Sequence, residues 1–178
     1  MKGLIVVAVV AGAVYLPMFG NEMAIDDRVF LQEWEGIKEV NLIKVFGGDV
    51  PVGHEGVYRP VRGLLYQIYY QLWGESLWGY RFNALAINAL ASVLVFLILV
   101  RLGRGMGLWG GMLFALHPVH VETISYLASS METVGIVATL AAFYLYLRKQ
   151  KWWSVGLAVV GYFTTEMALT VPVLIMLY

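Results

Sequence analysis

"LFALHPVHVETISYLASSMETVGIVATLAAFYLYLRKQK", residues 113–151, sets two histidines and two glutamates, His117, His120, Glu122 and Glu132, between runs of residues that belong in lipid. Charged groups at bilayer depth are costly, so a chain that keeps them there generally uses them. The rest of the sequence has the same character. Of its 178 residues 60% are hydrophobic and only 13% charged, and the mean hydropathy of +0.73 is outside the range of an ordinary soluble domain. The chain reads as an all-α, polytopic integral membrane protein whose surroundings are the lipid bilayer. A net charge of zero carries no footprint of nucleic-acid binding. The lack of cysteine excludes disulfides, thiol catalysis and cysteine-based zinc sites.

Apolar runs occur at Leu4 to Phe19, Ala84 to Val100, Leu108 to Leu116, Val134 to Leu147, Trp152 to Phe163 and Ala168 to Tyr178. The first two approach the roughly 20 residues of a perpendicular spanning helix. The others reach that length only with polar neighbours included, so about six spanning or partly spanning helices are expected. Residues 152–178 are read as two short helices, although one long helix kinked at Thr164, Thr165 and Glu166 is the alternative. The first run carries the small-residue pattern Ala11-Gly12-Ala13 of a signal-peptide cleavage site. Cleavage there would leave a hydrophobic new N-terminus, and a retained helix is the reading adopted.

With Lys2 on the cytoplasmic side and one crossing per helix, Arg101, Arg104, Arg148, Lys149 and Lys151 fall inside, as the positive-inside rule asks. The segment from Gly20 to about Trp78 then lies outside, together with "HPVHVETISYLASS" and "TTE". All twelve acidic residues and all three histidines fall on that outer side or its membrane boundary. Most acids of the long loop read as solvated charge. Glu122, Glu132 and Glu166 are embedded in apolar sequence and read instead as groups offered to one extracytoplasmic cavity. The whole chain, 1–178, is expected to form a single transmembrane domain with a first outer loop over 20–78.

Within that loop Phe30, Trp34, Ile37, Val40 and Ile43 recur at helical spacing and suggest an amphipathic surface helix. Leu64, Leu65, Ile68, Tyr69, Leu72 and Trp73 make a second such stripe, rich in the aromatics of interfacial belts. Asp26 and Asp27 follow the first helix by a few residues. Neighbouring carboxylates at a low-dielectric margin shift each other's ionisation, so one could act as a base; solvated acids at a helix start account for them equally well. Arg59 and Arg62 in "VYRPVRG" stand just before the second stripe, where guanidinium groups can hold phosphate oxygens in bidentate fashion, with bulk lipid head groups as the plainer ligand. His117 and His120 could hold substrate phosphate or end a helix by hydrogen bonding. Pro118 separates them, and the spacing is not the HExxH of zinc hydrolases, so no metal or other cofactor is expected. The glycines of "GRGMGLWGG" read as close helix packing.

The order "DD" after the first helix, "YRPV" before the second, "LFALHPVHVE" at the end of the third and "TEMALTVPVLIMLY" at the chain's end resembles the transmembrane and TPR-repeat-containing family, similar to protein O-mannosyltransferases with the GT-C membrane fold. The resemblance covers nearly the whole chain, and "HPVHVE" with "YRP" carries it. It implies a polytopic glycosyltransferase that takes a sugar, typically mannose, from a polyprenyl- or dolichyl-phosphate donor to a hydroxyl of an acceptor protein, on the periplasmic or luminal side. By the same resemblance the catalytic base falls on Asp26 or Asp27 and the phosphate contact on Arg59. Donor-cavity residues fall on His117, His120 and Glu122, with Glu166 lining the cavity beside them. The family's usual "SKE" is "TTE" here, which puts Thr165 where a lysine would stand. The family's remaining helices and TPR array are missing, so an N-terminal fragment, inactive by itself, is the expectation. Two readings of other classes remain: a transporter or lipid-binding subunit in which the same carboxylates and histidines carry protons or ligand, and an inactive scaffold.

Overall fold

The computed structural model describes residues 2–23, 25–48, 58–103 and 105–178, the side chains of Ile25, Asp26, Val29 and Ala128 excepted. The fold is all-α, that of a polytopic membrane protein. Helix α1 (Lys2–Ala13) passes through a turn into a 3-10 turn at Leu16–Gly20, where Pro17 can supply no backbone donor for a continuing α-helix. After the outer loop come α5 (Leu77–Arg101), α6 (Gly107–Leu116) and the short α7 (His120–Ser125). The chain ends with α8 (Leu127–Leu147), α9 (Lys151–Tyr162) and α10 (Thr170–Leu177). Among the described residues, Lys2–Gly20, Leu77–Arg101 and Ser129–Leu147 are long and apolar enough to cross a membrane, and Gly107–Leu116 and Glu166–Leu177 are apolar but shorter.

The tail forms two helices, as expected. The chain breaks between them at Thr164 and Thr165, and a 3-10 turn, Glu166–Leu169, leads into α10. The glycines of α6 pack as read. A Cβ at Gly111 would lie 3.0 Å from Phe96 Cβ and 3.1 Å from Val7 Cγ2, so α6 sits backbone-close to α5 and α1. Helix α5 begins seven residues before its apolar run, at Leu77 rather than Ala84, which brings Arg81 into the helix.

The outer loop departs most from expectation. In place of one amphipathic helix over residues 30–43 there is a series of short pieces. These are α2 (Ile25–Arg28), a π-type turn Val29–Glu33, a 3-10 turn Glu35–Lys38 and α3 (Leu42–Phe46). Trp34 is extended, with φ −82° and ψ 101°, and its indole lies where a side chain on Gly36 would stand. A mid-stripe glycine disfavours the helix, and the break lets Leu31, Trp34 and Ile37 face inward together while Val40 and Ile43 are left exposed. The second stripe does form a helix, α4 (Pro60–Trp73), opened by Pro60 at its first position and ended by Gly74 at φ +57°. Tyr66 of α4 stacks on Phe30, and the cluster they join reaches Tyr80, Leu127 and Met131, locking the loop onto α5 and α8.

The helices sort the charges by end. Gly3 lies beside Phe96 and Leu108, which puts Lys2 near the C-terminus of α5. Leu102 packs with Phe143 and Leu147, which puts Arg101 near Arg148, Lys149 and Lys151. The outer loop, the 117–126 connection and the 163–166 turn meet at the opposite end.

Candidate functional site

Every charged contact of interest gathers around the first turns of α8. Tyr126 precedes that helix with no cap of its own, and the Leu127 N–H is received by Asp27 Oδ1, 100 residues away in sequence, at 2.9 Å. A carboxylate at a helix N-terminus satisfies an otherwise orphaned donor and complements the helix dipole. Asp27 is 1% exposed and Arg81, which shares a small pocket with it, 5%. Arg81 donates to the carbonyls of Phe19 (2.9 Å) and Glu22 (3.1 Å). Arg81 therefore holds the chain's exit from the first helix, and Asp27 ties the loop beyond it to α8. The backbone of Asp26 belongs to α2; its side chain lies outside the described residues.

Five residues beyond Leu127, about 7.5 Å along the helix axis, Glu132 faces both arginines of "YRPVR". Its Oε1 accepts from Arg59 Nη1 at 3.1 Å and from Arg62 Nη1 at 2.8 Å. Arg59 also donates through Nε to both oxygens of Glu166, at 3.0 and 3.1 Å, and through Nη2 to one of them. One guanidinium thus joins α4, α8 and the turn before α10. The Val61 N–H bonds the Phe163 carbonyl at 3.1 Å and braces the same junction. The Glu166 carboxylate beside Arg59 raises the guanidinium pKa above its ordinary value, with Glu132 adding to the effect and partial burial opposing it. The arginine charge is therefore firmly present. Tyr66 lies close enough to feel Arg62, Asp27 and Glu132 together, which makes the two charged groups neighbours.

The histidines form a separate part of the same end. His117 ends α6; its carbonyl accepts the Tyr15 hydroxyl at 2.9 Å, and its Nδ1 accepts the Val119 N–H at 3.2 Å. His120 is buried with its ring 4.5 Å from Phe114 and 6.3 Å from His117. Burial pushes the His120 imidazole below its ordinary pKa, His117 adding to this and the Phe114 backbone opposing it. Glu122 is exposed on the first turn of α7. Among the described residues no group of three or more metal-ligating side chains forms.

The structure thus brings Asp27, Arg59, Arg62 and Glu166 to one helix end, and sets His117, His120 and Glu122 on the adjoining connection. Sequence reasoning passed over Arg81, which lies between the 20–78 loop and the apolar run that opens at Ala84, and left Glu132 without a partner. The available signal for Arg81 was a lone arginine within one turn of a long apolar run. Nothing in the spacing of residues 59, 62, 132 and 166 announces that they pair. An apolar groove of about 650 Å³ between α9 and α10 runs from Ser154 to Phe163, the residue that Val61 bonds, and so ends beside the arginines.

Among curated proteins the chain is similar to Protein O-mannosyl-transferase Tmtc1 of Drosophila melanogaster, 31% identical over 115 residues, which take in 62% of this chain and 13% of that protein. It is also similar to Protein O-mannosyl-transferase Tmtc2 of the same fly, 28% identical over 111 residues, 58% of this chain and 11% of that protein. No family model and no solved structure matches. The matched stretch therefore spans about one eighth or less of the relatives' own length, and over somewhat more than half of its residues the chain is similar to protein O-mannosyl-transferases.

Proposed function

We propose that the chain is the donor-handling end of a GT-C-type membrane glycosyltransferase, which moves a hexose from a polyprenyl- or dolichyl-phosphate to a hydroxyl of an acceptor protein on the extracytoplasmic side. The observation that carries this reading is the pair Arg59 and Arg62, held by carboxylates at the helix ends beside an apolar groove. Two guanidinium groups that already grip carboxylate oxygens have the donor geometry that phosphate oxygens need. An isoprenoid tail fits the groove's apolar lining, and the similarity to O-mannosyl-transferases supports the sugar and the acceptor. The cation-rich end of the bundle faces the cytoplasm by the positive-inside rule, which leaves the arginine site outside.

In this mechanism Asp26 is the base. Asp27 is taken up at the N-terminus of α8, which makes Asp26 the candidate for the base. The acceptor hydroxyl gives its proton to the Asp26 carboxylate as its oxygen forms a bond to the sugar C1. The bond between C1 and the phosphate oxygen breaks, and the leaving phosphate keeps that electron pair, its charge met by Arg59 and Arg62. His117 and His120 border the donor cavity, with Glu122 and Glu166 as its polar lining. The step needs no metal and no covalent intermediate.

Sugar transfer from mannosyl-phosphoryl dolichol, measured in proteoliposomes for Asp26→Asn and Asp27→Asn side by side in the full-length protein, tests the assignment. Asp26→Asn should lower the rate about 10²- to 10⁴-fold with donor binding retained. Native-rate transfer by Asp26→Asn contradicts the mechanism. The pairing of Glu132 and Glu166 with the arginines is also what a proton-coupled transporter would use. That reading requires Glu132→Gln to abolish transport, with Asp26→Asn harmless.

A further inference from the structure

Gly135 lies on α8 one turn beyond Glu132, beneath the chain that joins α9 to α10. A Cβ built there would stand 2.3 Å from Thr165 Cγ2 and 3.2 Å from the Cβ atoms of both Thr164 and Thr165. Both threonines are held by burial and by their own hydroxyl contacts. Thr164 Oγ1 donates to the Val160 carbonyl at 2.7 Å, and Thr165 Oγ1 accepts the Met167 N–H, a long contact of 3.5 Å, as the cap of the turn that carries Glu166. Turning Thr165 about χ1 would forfeit that cap, and the two Cβ atoms move only with the backbone. Gly161 closes the same seam, its absent Cβ facing Ala168 Cβ at 3.1 Å and the Gly135 carbonyl oxygen at 3.4 Å. The bare backbone of α8 at Gly135 therefore meets the Thr164 and Thr165 side chains of the turn, and at Gly161 the bare backbone of α9. Arg59 spans this seam, with Nη1 on Glu132 of α8 and Nε on Glu166 of the turn. A guanidinium is a rigid planar fork, so the separation of the two carboxylates has to match it.

We propose that Gly135 is a positioning residue for the phosphate-binding arginines: its missing side chain lets the 163–166 turn close on α8 to the separation at which one Arg59 guanidinium serves both Glu132 and Glu166. The functional consequence rests on the reading above, in which Arg59 receives a lipid phosphate. The geometric part stands by itself. A side chain at 135 lifts the turn, draws Glu166 off Arg59 and leaves the guanidinium oriented by Glu132 alone.

Thr165→Ser supplies the decisive partner change, because it removes the Cγ2 that a Cβ at 135 would strike and keeps the Oγ1 that caps the turn. The test compares the native chain in detergent micelles with Gly135→Ala, Thr165→Ser and the double variant. One readout is the Arg59 Nε–H resonance, assigned by its loss in Arg59→Lys; the other is affinity for citronellyl phosphate, a short isoprenyl phosphate. Gly135→Ala should move the Nε–H resonance toward that of an unpaired guanidinium and shift the affinity for citronellyl phosphate by about tenfold, because Glu166 and the phosphate draw on the same Arg59 donors. Thr165→Ser alone should change neither, and the double variant should restore both. A Gly135→Ala chain that folds only when Thr165→Ser accompanies it supports the proposal equally. An unmoved resonance in Gly135→Ala, or a double variant that neither folds nor restores the resonance, overturns it. If the native chain fails to bind citronellyl phosphate while the resonances behave as stated, the donor reading falls and the positioning role stands.

Discussion

Asp27 and His120 show how burial assigns different work to residues that look alike in sequence. Asp27 stands next to Asp26, yet it is buried and accepts the Leu127 N–H. Asp27→Ala should therefore cost about 1 to 2 kcal/mol, the usual worth of a lost N-terminal cap, read from thermal unfolding in detergent, and Asp27→Asn should cost less because its amide oxygen can still accept. His120 is held neutral by burial, with its pKa lowered from the ordinary value. The unfolded chain then takes up a proton first as pH falls, so the contribution to stability is present above about pH 6.5, the unfolded value, and is lost below it. Melting temperature should fall between pH 7 and pH 5, and His120→Phe, which keeps a ring against Phe114, should flatten that fall. An equal fall in both chains would show that His120 is not the group responsible.

Among the elements, the helices of the bundle were legible because long apolar runs leave few alternatives. The turn at Thr164 and Thr165 was legible because polar residues interrupt such a run. The stripe Phe30 to Ile43 misled because periodicity reports which residues want to be buried, not whether the backbone stays helical between them. Gly36 and the extended Trp34 divide that stripe, and only its first half faces the core. The start of α5 was missed for a related reason: apolar counting begins at Ala84, whereas the helix admits Tyr80, whose hydroxyl donates to the Gly74 carbonyl just before α5, and Arg81, which donates to the Phe19 carbonyl beyond the first helix. The glycines of α6 were read correctly as packing residues, and their closeness has a measurable cost. Gly111→Val would press on Phe96 and Val7 and should destabilise the chain by about 1 to 3 kcal/mol through overpacking, seen as a lower midpoint in denaturant-induced unfolding.

At the scale of the molecule, segregation of charge is the organising feature: Lys2, Arg101, Arg148, Lys149 and Lys151 share one end, and the arginine–glutamate network occupies the other. The candidate site was legible as a set of residue types, four acids, two arginines and two histidines on outer connections, but its pairing was not. Arg59 meets Glu132 and Glu166 across 73 and 107 residues of sequence, and such contacts follow only from how α4, α8 and the last turn pack. The proposed orientation makes a cysteine at Lys44 reactive, in intact cells, toward an impermeant thiol reagent, and one at Gln150 unreactive; labelling of Gln150 would reverse the sides. The central claim is that the arginines at the anionic end receive a lipid phosphate. Equilibrium binding of dolichyl phosphate to the chain in nanodiscs, compared between the native protein and Arg59→Ala, tests it most directly. The account predicts saturable binding that Arg59→Ala weakens by about tenfold or more, and equal affinity in the two proteins would contradict it.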